Sequence, residues 1–291
     1  MSTVFTSTRH GLALVAIWLG LQASPAFSVE DPGRSVVHRL QQRFDDTRAA
    51  CPDGSAAINC NGVLVRGISE PSDPAFWNPN PRDVARKGVS FSYIRADVGN
   101  TVLANNVGLI MRELGASTEQ PLTVRCVFPS DAATSSRIES CGTEEFPLPC
   151  HLSGVVDIPT WQAHYAEYGR SKACYFEPTT QWFQFSIEVR EHFPPPSSGR
   201  SMYNEVVIAP WPQDVPTQLP LEALFYTYDT EYLEQARQMQ ENFIRATGKF
   251  IPIVRLELKQ NPVFYYSPKD QAVQPPMPTT THDGQVAAQP K

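Results

Sequence analysis

Three short segments of this chain carry polar residues where a strand would be expected to carry apolar ones. In Gly62–Ile68 (GVLVRGI), alternation sets Arg66 on the same face as Leu64 and Ile68. A guanidinium among apolar neighbours must find an anion, because burying it unpaired is very costly. In Val89–Arg95 (VSFSYIR), Ser90, Ser92 and Ile94 share one face, opposite Val89, Phe91 and Tyr93; two small hydroxyls leave room beside the strand and can hold another polar side chain. In Tyr203–Pro210 (YNEVVIAP), Glu205 opens a strand just after a proline-rich stretch, where a carboxylate can meet a ligand. Each has an ordinary reading too: Arg66 pairs with an internal Asp or Glu, the serines lie on a half-exposed strand, and Glu205 is a surface charge. Taken together, in the order Arg, Ser-x-Ser, Glu, they are less ordinary than each is alone.

Other chemistries have less support. There is no Gly-x-Ser-x-Gly elbow, His-Glu-x-x-His, P-loop or Gly-x-Gly-x-x-Gly. His38, His151, His164, His192 and His282 are scattered without metal-ligand spacing, so no metal is expected. A Ser–His–Asp hydrolase assembled from distant positions stays open, with nothing local in its favour. With 24 Lys+Arg against 30 Asp+Glu the net charge is −6, which argues against nucleic acid held by a basic face. A small anion held by one or two arginines remains compatible.

The elements that must position these residues are short. Arg9 and His10 precede an uncharged run of about thirteen residues, Gly11–Ala23, and Ala26-Phe27-Ser28 supplies small residues at a cleavage site. That run is too short for a bilayer span of roughly twenty residues. Residues 1–28 are therefore read as an export signal, and the protein as secreted or periplasmic, without a membrane span once the signal is cut. All six cysteines (Cys51, Cys60, Cys126, Cys141, Cys150 and Cys174) follow this leader, and no Cys-x-x-Cys occurs. Sequence alone does not choose their pairing; nearest neighbours, 51–60, 126–141 and 150–174, would each staple one short loop. The 27 prolines point to a loop-rich fold.

Pro32 opens a helical pattern with Val37, Leu40 and Phe44 on one stripe. Strands are expected at Gly62–Ile68, Val89–Arg95, Val107–Met111, Leu122–Phe128, Phe183–Val189, Glu205–Ala209 and Lys249–Leu258. Helices are expected at Ile158–Tyr168 and after Asp229 or Thr230, the latter striped by Tyr232, Ala236, Met239 and Phe243 and stopped by Gly248. The Pro71–Pro81 loop carries the aromatic pair Phe76-Trp77, expected to be exposed. Residues 29–267 read as a single α+β domain, and residues 268–291, rich in Pro, Thr, Gln and Ala, as a disordered tail.

The run LVRG, SFSYIR, NEVVIAP resembles the Arg / Ser-x-Ser / Glu signature of cholera-toxin-like ADP-ribosyltransferases. Cys60–Asp97 and Val124–Cys141 are similar to the halovibrin family of secreted bacterial proteins, described as NAD glycohydrolases or ADP-ribosyltransferases. The resemblance covers roughly residues 35–268. It implies an α+β fold of two small, mostly antiparallel sheets forming an NAD cleft, with flanking helices and disulfide staples. It also implies NAD as substrate, a host protein as an optional acceptor, Glu205, Ser90 and Ser92 as catalytic residues, and Arg66 and Tyr93 as NAD-binding residues. Arg66 would hold the diphosphate or adjoining ribose, Ser90 and Ser92 would line the nicotinamide side, and Glu205 would accept from the ribose 2′-hydroxyl.

The match departs from the family pattern in one place. Protein-modifying members carry Glu or Gln two positions before the catalytic glutamate, and Tyr203 stands there. A phenol is a poor general base near neutral pH, which favours hydrolysis over transfer to protein. Ser135-Ser136, after the strand ending at Phe128, is a second candidate for the hydroxyl motif. The competing function is a non-catalytic extracellular binding or adhesion protein, for which the Phe76-Trp77 loop and disulfide staples would form the contact surface.

Overall fold

The computed structural model describes residues 31–99, 102–114, 122–192, 203–209 and 219–274. The expected leader, the Phe193–Gly199 loop and residues 275–291 lie outside them. The described residues form an α+β fold around one mixed sheet of eight strands: β1 (Val63–Gly67), β2 (Val89–Ile94), β3 (Val107–Met111), β4 (Thr123–Phe128), β5 (Glu205–Ala209), β6 (Leu221–Tyr226), β7 (Ile253–Leu256) and β8 (Phe264–Tyr265). Their order is β4-β5-β2-β1-β3-β6-β7-β8, so the two separate sheets expected above are replaced by a single hydrogen-bonded one. All neighbours are antiparallel except β6 and β7.

The helices are α1 (Pro32–Asp45), α2 (Pro81–Ala85), α3 (Ile158–Lys172), α4 (Thr180–His192) and α5 (Thr230–Thr247). Helix α1 starts on an Asp31 cap and buries Gly33, Val36 and Leu40. It covers a cluster made of Val63, Val65, Ile94, Ile110, Phe225 and Val254 on one sheet face. The opposite face carries Leu64, Phe91, Tyr93, Leu109, Val206 and Leu224, packed under α3, α4 and α5. Helix α5 is capped by Asp229 and ends at Gly248, whose φ of 69° is a conformation that glycine adopts without strain. Pro252 precedes β7 and gives its carbonyl to Leu224 N–H, as a proline at a strand entry should.

Three expectations need correcting. Phe183–Val189 lies in helix α4, not in a strand. Apolar residues at 183, 185, 187 and 189 imitate period two, yet in the helix Phe183, Ser186, Ile187 and Arg190 fall on one buried stripe, with Val189 buried beside it. The Phe76-Trp77 pair is buried, at 6% and 3% exposure: the rings meet edge to face at 4.9 Å, and Trp77 meets Phe243 of α5 at 5.3 Å. Residues 268–271, expected in a disordered tail, are ordered: Pro268–Asp270 forms a 3-10 turn and Gln271 bonds Ile253 N–H, Ile253 O and Gln240.

The three disulfides are Cys51–Cys60, Cys126–Cys141 and Cys150–Cys174, the nearest-neighbour pairing. None of the described helices is long and apolar enough to cross a membrane.

Candidate active site

The candidate site lies where strand β2 changes partners. Its second half pairs with β1 (Leu64↔Tyr93, Val65↔Ser92), and its first half pairs with β5 (Ser90↔Val207, Phe91↔Val206). Strand β1 has no pairing with β2 beyond Val65, and β5 has none before Val206, so the sheet parts between Arg66 and Glu205. By alternation Arg66 starts on the face of Leu64, while Ser90 and Ser92 start on the face of Val65. The parting lets both sets line one cavity of about 200 Å³, together with Gly67, Arg86, Asp131, Tyr203, Asn204 and Glu205. A wider cavity of about 770 Å³ shares Ala104, Asp131 and Tyr203 with it; pockets of this order accept small-molecule ligands. Gly67 is needed there because a Cβ would come within 2.7 Å of the Asn105 backbone.

One wall is built on Asp83. Helix α2 is only five residues long, begun by Pro81 and a reciprocal capping box in which Asn80 accepts from Asp83 N–H and Asp83 accepts from Asn80 N–H. Asp83 is 1% exposed and also binds Arg66 Nη2 at 2.9 Å and Arg86. Burial pushes the Arg66 guanidinium below its ordinary value; the charge and hydrogen bond of Asp83 oppose this, with a smaller opposing pull from Glu205. Arg66 Nη1 is buried with no hydrogen-bond partner among the described residues. The ordinary reading of Arg66, an internal ion pair, is therefore half of the picture, since one nitrogen remains to bind something else.

The other wall is built on Glu205, which is 6% exposed. Oε2 accepts from Ala132 N–H at 2.8 Å and Oε1 accepts from the Thr134 hydroxyl at 2.6 Å. Because the Thr134 proton goes to the carboxylate, the Ser90 hydroxyl, 3.0 Å away, must donate to Thr134 Oγ1. Ser90 thus acts on Glu205 through Thr134. A carboxylate has about four acceptor sites, so two donors leave capacity for a ligand hydroxyl. Asn204 fixes the approach to Glu205: its side chain accepts from Tyr93 N–H and donates to Tyr93 O, both at 2.8 Å, standing in for a strand neighbour.

Of the residues singled out from sequence, Arg66, Ser90, Ser92 and Glu205 come together. Tyr93 does not line this cavity and its assignment as an NAD-binding residue is corrected. Its ring is 1% exposed on the far face of β2, edge to face with Phe183 at 5.2 Å, and its hydroxyl donates to Asn61. Burial raises its pKa. Between the two hydroxyl motifs, Ser90 and Ser92 line the cavity itself, Ser135 lines the wider one, and Ser136 is exposed. The hydroxyl that touches Glu205 belongs to Thr134, which sequence reasoning missed. The signal was the hydroxyl run Thr134-Ser135-Ser136 in the loop after β4, whose last residue Phe128 pairs with Glu205.

A separate cavity of about 590 Å³ opens beside α1. Its Arg39 and Arg43 are paired with Glu222, and it shares no residue with the sheet gap. Among the described residues, no cluster of His, Cys, Asp and Glu is arranged to hold a metal ion. No family model matches this chain, and no curated protein matches it.

Proposed function

We propose that this chain is a secreted enzyme that cleaves the nicotinamide N-glycosidic bond of NAD. The observation that carries the reading is that Arg66 and Glu205, far apart in sequence, line one cavity with Ser90 and Ser92 between them. The halovibrin-like segments Cys60–Asp97 and Val124–Cys141 supply every residue of that cavity's framework except Ala104 and the Tyr203–Glu205 turn, which supports the same reading.

Arg66 offers its unpartnered Nη1 to the diphosphate, with Arg86 beside it to share the charge. Glu205 accepts a hydrogen bond from the 2′-hydroxyl of the nicotinamide ribose. The C1′–N bond then breaks heterolytically, its electron pair leaving with neutral nicotinamide, and positive charge builds on the ribose. The hydrogen bond to Glu205 strengthens as that charge grows, so it stabilises the transition state more than the ground state. Water adds its oxygen to C1′ and releases a proton, giving ADP-ribose. Tyr203 two places before Glu205 favours water over a protein side chain as acceptor. The contact surface of a binding protein loses its best element, because Phe76 and Trp77 are buried. Three disulfides suit work in an oxidising compartment. Incubating the oxidised protein with NAD should release free nicotinamide in step with ADP-ribose. Intact NAD after prolonged incubation would reject the proposal.

A further inference from the structure

Cys126 and Cys141 bracket the loop that holds Glu205. Both direct donors to the carboxylate, Ala132 N–H and the Thr134 hydroxyl, lie between them. One end is fixed, because Cys126 sits in β4 opposite Val207 of β5. Inside the loop, Arg137 acts as a peg. Its guanidinium, 6% exposed, donates to the carbonyls of Ala132, Cys141, Arg170 and Ala173 and lies over the Phe128 ring. All four acceptors are neutral. Burial brings this group down to about 10, against the weaker opposing charges of Glu205 and Asp131. No salt bridge to this cation forms among the described residues, so part of what its hydrogen bonds contribute offsets its burial. Asp131 pairs with Arg170 of α3 and its N–H bonds Tyr203 O, while Ser140 Oγ on Arg86 O and the exposed Glu139 pairs with Lys87 and Arg125 add further ties, none of which closes the loop covalently.

We propose that the Cys126–Cys141 disulfide is a redox latch on this site, with Arg137 as its positioning residue: closed, it presents Glu205 in working geometry; open, it leaves the sheet folded and the carboxylate unsupported. The proposal rests on Glu205 being the working carboxylate. Opening is a two-electron reduction by a dithiol. The disulfide takes up two electrons and two protons and becomes two thiols, while the dithiol becomes a disulfide. Cys141 lines a surface depression of about 510 Å³ with Ile138, Gly142 and Tyr175, which gives a small dithiol a way in. At 9% exposure Cys141 is the more accessible cysteine of its pair, since Cys126, like Cys150 and Cys174, is at 0%. The chain would then be inactive in a reducing compartment and switch on when oxidised.

The test uses the full chain, a C126S/C141S variant, and a C51S/C60S control whose staple encloses none of these groups. Hydrogen exchange at the Ala132 amide should be on the order of a hundredfold faster in C126S/C141S, the constraint expected of a loop of this length, with the β5 amides Val206–Ile208 unchanged. Nicotinamide release should lose kcat by a similar factor while KM for NAD holds, because Arg66 and Asp83 lie outside the loop. The control should keep wild-type exchange and rate. Unchanged Ala132 protection, or full kcat, in C126S/C141S overturns the latch. If that variant fails to fold, titrating wild type with dithiothreitol and assigning the opened bond by mass spectrometry decides: full activity with 126–141 open overturns it, loss coincident with that opening supports it. Should oxidised wild type release no nicotinamide, the proposed function fails, while Ala132 exchange still judges the latch.

Discussion

The two walls of the sheet gap are held by opposite means. The Arg66 wall rests on charge: one buried carboxylate, Asp83, caps a one-turn helix and pairs with two arginines. The Glu205 wall rests on neutral hydrogen bonds from a loop closed by a covalent bond. The difference matches what each wall would be asked to do. In the proposed reaction, a guanidinium shared with Asp83 would offer Nη1 to the ligand's anion, so that wall would bind. In the same reaction the carboxylate, whose partners are an amide and a hydroxyl, would face the developing positive charge. Binding and chemistry should therefore be separable by mutation.

Breaking the charged wall should have the largest effect on the fold. Asp83→Asn leaves Arg66 and Arg86 facing each other without a carboxylate and should cost about 3 kcal/mol of stability, read from denaturant unfolding. Ala132 amide exchange should stay at the wild-type rate; if it rises in step, the walls are one unit and the comparison fails. Loosening the neutral wall should act on rate. Thr134→Val removes the donor to Oε1 and strands the Ser90 hydroxyl, so kcat should fall about tenfold, the worth of one charge-assisted hydrogen bond. KM for NAD should not move, and Thr134→Ser should restore most of the rate.

A smaller effect concerns pH. His164 is buried in α3, and its Nε2 accepts from Cys174 N–H at 3.0 Å, next to the Ala173 carbonyl that receives Arg137. Burial lowers its pKa from 6.5, with Glu167 opposing and Arg137 adding to the shift. The unfolded chain therefore binds the proton more readily than the folded one. The associated stability is fully present above the ordinary value and is lost as pH falls through the lowered folded one. Wild-type Tm should drop more than that of His164→Gln between about pH 7.5 and pH 5; parallel curves would show that His164 plays no part.

The framework of this site was legible in the sequence because strand alternation is local. Arg66, Ser90, Ser92 and Glu205 were each recognisable as polar residues on otherwise apolar strands, and each strand lies within one or two residues of its expected bounds. The sequence alone did not choose the cysteine pairing; the nearest-neighbour arrangement is the one found. Features that depend on the third dimension were not legible. Thr134 meets Glu205 through a turn with Ala133 in the left-handed region, φ 50°, which no periodicity announces. Helix α4 carries apolar residues around most of its circumference because several elements enclose it, so its pattern imitates a strand. Strand β6, Leu221–Tyr226, was not anticipated because Leu, Glu and Ala read equally well as helix. Tyr93, which the resemblance set among the NAD-binding residues, packs instead against Phe183 of α4.

The central claim is that Glu205 works on bound NAD, and the rate of nicotinamide release by oxidised wild type against Glu205→Gln tests it most directly. The substitution keeps size and one of the two acceptor oxygens while removing the charge. Release by wild type with a loss on the order of a hundredfold or more in the variant, at unchanged thermal stability, is the predicted result. Equal release by both proteins would contradict it.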